Sequence, residues 1–449
     1  MTNNQLNRRE FMRLGAGATA LGAATKSVLL TPGYLAASPR PVPPSDRIRF
    51  GIVGVGMQGS GLLRRSLTLP GVECVAAADL YDGRHDLAKE LVGKPIPTTR
   101  RYQELLDNKE IDCIIAALPD HWHKKIVVDA CNAGKDIYCE KPMTHLVEDG
   151  FPMIEAAKKG NRIVQIGAQR TTSVLYKKAK ELLAQGAIGK VDLIEATWGR
   201  NNPTGAWEYP PPPDLSPETI DWDTWLGTAP KIPLNPEVFA CWRRWQAYGS
   251  GVSGDLFVHL TTAIHFVTGY NAPPLSAASK GGIYRWKDGR DEPDVLTTVF
   301  EYPDYNVTMR VTLNTLMPEV ERFMGPGGLL EVYKDSLTVT RQSGVDEAPS
   351  YYANSFPKKL RDEYKKQWQE KHDFSTKAAE APSTYSVPDD YDVTRDHLWN
   401  FYQAVRSRQP VVQDAVFGNN CAIACHMANY SYFNKTIARW DPDQRKIVG

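Results

Sequence analysis

Lys141 stands between Glu140 and Pro142, and Asp255 precedes His259 by four residues. These side-chain types suit removal of a hydride from a secondary alcohol. That reaction also releases the hydroxyl proton, so it needs a base and a positive group to stabilise the developing alkoxide. Lys141 follows the apolar run Asp136 to Cys139, which reads as a buried strand. Its ammonium therefore lies at a strand's carboxyl end, where ligands of parallel sheets bind. Pro142 confines the Lys141 backbone to extended conformations and so fixes where the ammonium points. Asp255 and His259, at i and i+4, share one helix face. An aspartate there can hold the imidazole tautomer and stabilise its charged form. The same spacing also arises from a helix cap and a surface pair.

A second set of residues suits a dinucleotide. Gly54-Val55-Gly56-Met57-Gln58-Gly59 follows a short apolar strand and opens a helix. Gly54 permits a tight turn, Gly56 lets the backbone approach a pyrophosphate at the helix N-terminus, and Gly59 allows close helix–strand packing. Asp79 ends the next strand about 20 residues past Gly59, where a carboxylate accepts hydrogen bonds from both ribose hydroxyls. It would repel a 2′-phosphate, so NAD is favoured over NADP.

The elements that must position these groups alternate. Strands at 47–54, 73–79, 112–118, 136–139 and 162–168 are separated by helical stretches at 61–69, 102–106, 124–133 and 151–159. That alternation predicts an α/β fold with a doubly wound parallel sheet, the Rossmann arrangement, over residues 47–170. The pattern changes near Thr171. A helix at 175–185 leads to strands at 191–199, 294–302, 306–313 and 329–332, whose alternation suits an open, largely antiparallel sheet. Residues 171–449 are expected to form this α+β substrate-binding domain, closed by helices at 397–406 and 418–435. Residues 201–216, with four consecutive prolines, and the charged stretch 342–390 read as long loops.

Leu118-Pro119 with His123, Ala133-Gly134-Lys135, Glu140-Lys141-Pro142, and Gly254-Asp255 with His259 form a connected pattern. It resembles the Gfo/Idh/MocA oxidoreductase family, whose best-known members oxidise sugars and cyclitols. The resemblance implies NAD bound by Gly54, Gly56, Met57, Gln58, Gly59, Asp79, Pro119, His123, Glu140 and Lys141. It implies a catalytic group of Lys141, polarising the reacting oxygen, His259, as general acid/base, and Asp255, orienting His259 or binding an adjacent hydroxyl. Lys141, Arg170, Asp255 and His259 are the expected substrate contacts. Some relatives of this pattern are NAD-dependent glycosidases that oxidise a sugar transiently, and epimerase or lyase chemistry would use the same residues. In those glycosidases a tyrosine stands close before the histidine, whereas here Leu256, Phe257 and Val258 intervene. A non-catalytic sugar-binding protein on this fold is a third class.

His121 and His123 flank Trp122, but no third ligand is nearby and no metal site is expected. His265 faces away from His259 and reads as core or surface. Trp198, Trp207, Trp242 and Trp245 read first as ordinary packing, with sugar stacking as the alternative. The seven cysteines contain no C-x-x-C pair and read as buried thiols.

Of 449 residues, 42% are hydrophobic, and the formal net charge is +1. This near-neutral balance gives no electrostatic footprint for nucleic acid. Asn7 to Arg13 reads N-R-R-E-F-M-R, and a weakly apolar stretch broken by Pro32 and Gly33 follows. Residues 1–37 are therefore expected to be a twin-arginine signal peptide, joined by a linker at 38–46, with no stable membrane insertion. Export to the periplasm by the twin-arginine machinery would require the cofactor to cross already bound and to be recycled in place. A carbohydrate is the expected small-molecule substrate, and the open sheet suits a homo-oligomer.

Overall fold

The computed structural model describes residues 26–31, 43, 46–342, 350–371 and 381–449. Its first sheet is six-stranded and parallel: β2 (Ile48–Val53), β3 (Val72–Ala78), β4 (Thr98–Thr99), β5 (Cys113–Ala116), β6 (Asp136–Glu140) and β7 (Val164–Gly167). The order β4-β3-β2-β5-β6-β7 is that of a doubly wound nucleotide fold. Every residue of β5, β6 and β7 is buried, because helices cover both faces of the sheet. The helices Met57–Leu67, Gly83–Val92, His123–Asn132 and Gly150–Gly160 supply the layers.

The second sheet has eleven strands among the described residues. Its central members are β8 (Leu193–Gly199), β9 (Ser276–Gly282), β10 (Val295–Glu301), β11 (Asn306–Thr312), β12 (Met317–Gly325), β13 (Gly328–Tyr333) and β14 (Ser336–Arg341). Most neighbours are antiparallel, but β11 pairs with β8 in parallel. Alternate residues of β10 and β13 are buried, giving one face to the core. The helices Val174–Ala184, Val258–Thr268 and Ala415–Asn434 close over that face, and their Leu175, Leu260, Ile264 and Ile423 join Leu296, Val307 and Met309 in one apolar cluster.

Several elements differ from the sequence expectation. Ser276–Gly282 is built from small residues and Met317–Gly325 carries Pro318 and three charges, so neither has a strand-like composition. Both are strands because neighbouring strands supply ladders to them, with a bulge in Met317–Gly325 between Met317 and Val320. Within the expected loop 342–390, Lys358–Lys371 is a helix with no buried residue. Its Lys, Arg, Glu, Gln and Leu are strong helix formers, and Lys358 pairs with Asp362 one turn on.

The expected signal peptide lies mostly outside the described residues. Lys26–Leu29 (β1) are described, and they form an edge strand paired in parallel with Ser383–Ser386, so four residues assigned to the leader lie on the sheet. The helix Val393–Ser407 returns to the first domain. Its Leu398, Phe401 and Tyr402 are buried with Ile48, Phe50 and Leu62, and Tyr402 Oη donates to Ser66 Oγ at 2.9 Å.

Candidate active site

The glycine turn is built as its sequence requires. Gly54 has φ +84°, and a Cβ there would overlap the Ala117 carbonyl. A Cβ on Gly59 would overlap the Gly54 carbonyl oxygen. Side chains at either position would break the close approach of helix and strands. Asp79 is buried, and its Oδ2 accepts from Val55 N at 2.8 Å while Oδ1 accepts from Tyr81 N at 3.1 Å. The carboxylate thus fixes the turn itself. Beside the turn an apolar pocket is lined by Val53, Ala78, Leu118, Trp122 and Trp225 together with Asp79.

Arg84, which the sequence reading missed, lies 3.4 Å from Asp79 and its Nη2 would be 3.3 Å from a Cβ on Gly56. It brings a guanidinium to the turn where an anionic pyrophosphate fits. A turn with no room for a side chain at Gly54 or Gly59, a cation over it, and an apolar slot with a carboxylate together fit a dinucleotide.

A cleft of about 660 Å³ runs from this turn into the second domain and is lined by Met57, Gln58, Pro119, Lys141, Asp255 and His259, among others. Lys141 sits beyond β6, and its Nζ donates to Asp255 Oδ1 at 2.7 Å and to the Asp255 carbonyl at 2.8 Å. The peptide bond between Lys141 and Pro142 is cis. Asp255 lies on a π-helical turn, Ser253–Phe257, which runs into the helix bearing His259. Such turns often mark functional positions in helices.

Asp255 does more than the sequence suggested, and it does it elsewhere. Its Oδ2 accepts from Trp207 Nε1 at 3.1 Å, and its Oδ1 also accepts from Arg243 Nε at 3.2 Å. No hydrogen bond joins it to His259 among the described residues. The expected tautomer-setting pair is therefore absent, and Asp255 positions Lys141 instead. Burial alone would raise the Asp255 pKa, but the charges of Lys141, Arg243 and Arg200 outweigh it and hold the carboxyl well below its usual range. Burial, followed by the charges of Lys141 and Arg170, pushes the His259 pKa well below the usual imidazole value. His259 is consequently neutral near pH 7, and its ring meets Trp198 edge-on at 5.7 Å.

Glu140 is buried. Its Oε1 accepts from Gln58 Nε2 at 2.8 Å, and burial raises its pKa. Gln58 and Glu140 thereby join the glycine turn to the strand that carries Lys141.

Two expectations change and a third, that His265 is core or surface, is met in the core. His123 was expected to contact the cofactor, but it is fully buried and both ring nitrogens face backbone carbonyls, Pro142 at 2.6 Å and Leu118 at 3.0 Å. It braces two loop ends. Arg170 was expected at the substrate, but it pairs with Glu319 and stacks over Tyr176 at 5.3 Å. His265 is a core residue bonded to Tyr302 Oη at 2.9 Å.

Arg200 and Arg243 also line the cleft and were missed. Their only sequence signal is adjacency to aromatic residues, Trp198 two before Arg200 and Trp242 just before Arg243. All seven cysteines are free and buried. Among the described residues no cluster of three or more His, Cys, Asp or Glu could hold a metal ion, and no helix is long and apolar enough to cross a membrane.

Residues 48–168 match the oxidoreductase family with an NAD-binding Rossmann fold. Inositol 2-dehydrogenase of Salmonella typhimurium (strain LT2) is 35% identical over 149 residues, 33% of this chain and 44% of that protein. Alpha-N-acetylgalactosaminidase of Shewanella oneidensis is 26% identical over 235 residues, 45% of this chain and 50% of that protein. The chain thus spans about half the length of these relatives or less. Among solved structures, levoglucosan dehydrogenase in complex with NADH and levoglucosan superposes with a TM-score of 0.64 at 17% identity, covering 88% of this chain and 99% of that one. Aldose-aldose oxidoreductase from Caulobacter crescentus gives 0.63 at 16% identity, covering 88% and 99%. At these identities the structural likeness concerns the fold.

Proposed function

We propose, on the premise that this chain belongs through residues 48–168 to the Gfo/Idh/MocA oxidoreductase family, that it is an NAD-dependent oxidoreductase acting on a secondary alcohol of a sugar or sugar derivative. The observation that carries this reading is the Lys141 ammonium, held by Asp255 at 2.7 Å in the same cleft as the glycine turn and His259. Gly54, Gly56, Gly59, Asp79 and Arg84 would hold NAD, which when bound supplies the hydride acceptor. Lys141 offers its ammonium to the reacting oxygen and stabilises the charge that develops as the hydroxyl proton leaves. His259, neutral and with its ring in the cleft, accepts that proton. Asp255 keeps Lys141 in place and supplies an acceptor for a neighbouring hydroxyl. The similarity to the Salmonella typhimurium inositol 2-dehydrogenase supports the substrate class.

The similarity to the Shewanella oneidensis alpha-N-acetylgalactosaminidase supports a second reading, a redox-neutral glycosidase that oxidises its sugar transiently. The same residues would serve it, because Lys141 and His259 act on the hydroxyl in either case.

We propose further that Asn7 to Arg13 directs export of the folded chain, so that NAD travels bound and is regenerated in the site. The outward-facing Leu193 and Val299 on the second sheet support pairing between copies. One experiment addresses most of this: cell fractionation, then native mass spectrometry of the exported protein, then incubation with free sugars and aryl glycosides. Bound nicotinamide dinucleotide with accumulating NADH or reduced second substrate is expected. Aryl alcohol release without net NADH would select the glycosidase. Absence of dinucleotide both on purification and on titration would reject the cofactor reading.

A further inference from the structure

Three cations converge on one carboxylate at the catalytic end of the cleft. Lys141, Arg200 and Arg243 surround one low-pKa carboxylate, Asp255. The other neighbouring charged side chains have partners of their own. Arg84 pairs with Asp79, and Arg170 pairs with Glu319. Glu140 is bonded to Gln58, and Asp120 accepts from Ser250 N and Oγ, both at 3.0 Å; burial raises both carboxyl pKa values. His259 is held in its neutral form. Asp255 is thus shared by three cations, two of them arginines that line the cleft.

The two arginines are also held in a way that leaves their forks free. Arg243 lies over the Trp242 ring at 4.1 Å and spends only Nε on Asp255. Among the described residues no hydrogen bond engages its two terminal nitrogens. Arg200 lies over the Trp198 ring at 4.9 Å, and its nearest approach to Asp255, 3.8 Å, is too long for a hydrogen bond. Both side chains keep about a quarter of their surface open, 24% and 27%. Aromatic stacking fixes a planar guanidinium without consuming its donors. An aspartate that needed only to stay ionised would have Lys141 for that purpose. Two further guanidiniums with unpaired N–H groups, lining a cleft, suit a planar anion bound by two parallel hydrogen bonds.

We propose that the substrate is a sugar acid whose carboxylate is bound by Arg243 and Arg200, while its reacting hydroxyl lies at Lys141 and His259. This rests on the oxidoreductase reading of the same cleft and narrows it from sugars in general to carboxylate-bearing ones. The carboxylate provides the binding energy and the orientation; it takes no part in bond breaking.

The test is calorimetric titration of the NAD-loaded protein with glucose, galactose and mannose and with the matching uronates, plus glucose 6-sulfate. At least one uronate is expected to bind about tenfold or more tightly than its neutral parent, since hydrogen bonds to charged groups are the strong class. The ratio is expected to shrink as salt is raised. It is expected to collapse in Arg243→Gln and, independently, in Arg200→Gln, with Arg243→Lys intermediate because lysine keeps the charge and loses the fork. Neutral sugars binding as tightly as every uronate, no uronate binding at all, or tightest binding by the sulfate ester would each overturn the proposal. NAD is titrated first and separately. Oxidation of neutral sugars without uronate preference would leave the oxidoreductase reading standing and remove this one. Arginine-dependent uronate binding by a protein that takes no NAD would do the reverse.

Discussion

Lys141 shows how much one side chain depends on the groups that hold it. A lysine ammonium is a strongly hydrated point charge on a flexible stem, so it directs chemistry only where its position is fixed. Here the Asp255 carboxylate and backbone carbonyl hold Nζ from two sides, at 2.7 and 2.8 Å. Trp207, fully buried, fixes Asp255 in turn by donating to its other oxygen. Lys141→Met preserves the stem's apolar volume and removes the cation. With Arg243 and Arg200 still beside it, Asp255 keeps partners, so the fold should survive. Turnover on any substrate is expected to fall by about 10²–10³-fold, the usual loss when a group stabilising a developing oxyanion is removed. NAD affinity, measured by fluorescence titration, is expected to stay within a few-fold of wild type. Equal loss of turnover and NAD binding would place Lys141 in cofactor binding alone.

At the scale of elements, the strand–turn–helix from Ile48 to Leu67 carries the nucleotide reading, and its logic is steric. Gly59 has no room for a side chain because the Gly54 carbonyl lies where a Cβ would go. Gly59→Val is expected to push the helix Met57–Leu67 off β2 and abolish NAD binding in the same titration. Undiminished NAD binding by this variant would refute the assignment. This unit was legible in the sequence because glycine at fixed spacing has few other uses and because parallel strands buried on both faces read as short apolar runs. The second sheet was only partly legible. β10 and β11 alternate cleanly, whereas β9 and β12 take their conformation from their neighbours, and no local propensity announces them. The site followed the same division. Lys141, Asp255 and His259 were found by type and spacing, but the link between Asp255 and Lys141 joins residues far apart in sequence, and no periodicity reveals it. His123 and Arg170 were misplaced for the complementary reason: a loop-end residue can point into a cleft or brace it, and only packing decides.

Across the whole molecule the two domains are laced together, since the helix Val393–Ser407 returns to pack on the first domain before the chain goes back to the second through Ala415–Asn434 and the strand Ala438–Asp441. His397 is a bolt in that junction. Its Nε2 meets the Ile166 carbonyl at 3.0 Å, its Nδ1 meets Thr172 Oγ1 at 3.0 Å, and its own carbonyl accepts from Gln165 Nε2 at 2.8 Å. Burial lowers its pKa to about 4, only partly offset by the hydrogen bond to Ile166. In the unfolded chain the same imidazole titrates near 6.5. Between these values the unfolded state binds the proton and the folded state does not, so acid favours unfolding there. The contribution of His397 is complete above pH 6.5 and is lost as the pH falls towards 4, by about 1.4 kcal/mol per pH unit. Other buried groups titrate in the same range, and Glu321, raised to about 7 by burial, runs in the opposite direction. A difference between two proteins cancels them. In urea unfolding, His397→Gln is expected to be less stable than wild type at pH 7, because its amide cannot reproduce both ring contacts. The gap should narrow by about 2 kcal/mol at pH 5, as wild type alone loses the histidine contribution. A gap that stays constant from pH 7 to pH 5 would mean that the His397 pKa is the same in the folded and unfolded chains, and a gap that widens would mean that the junction is held by an imidazolium.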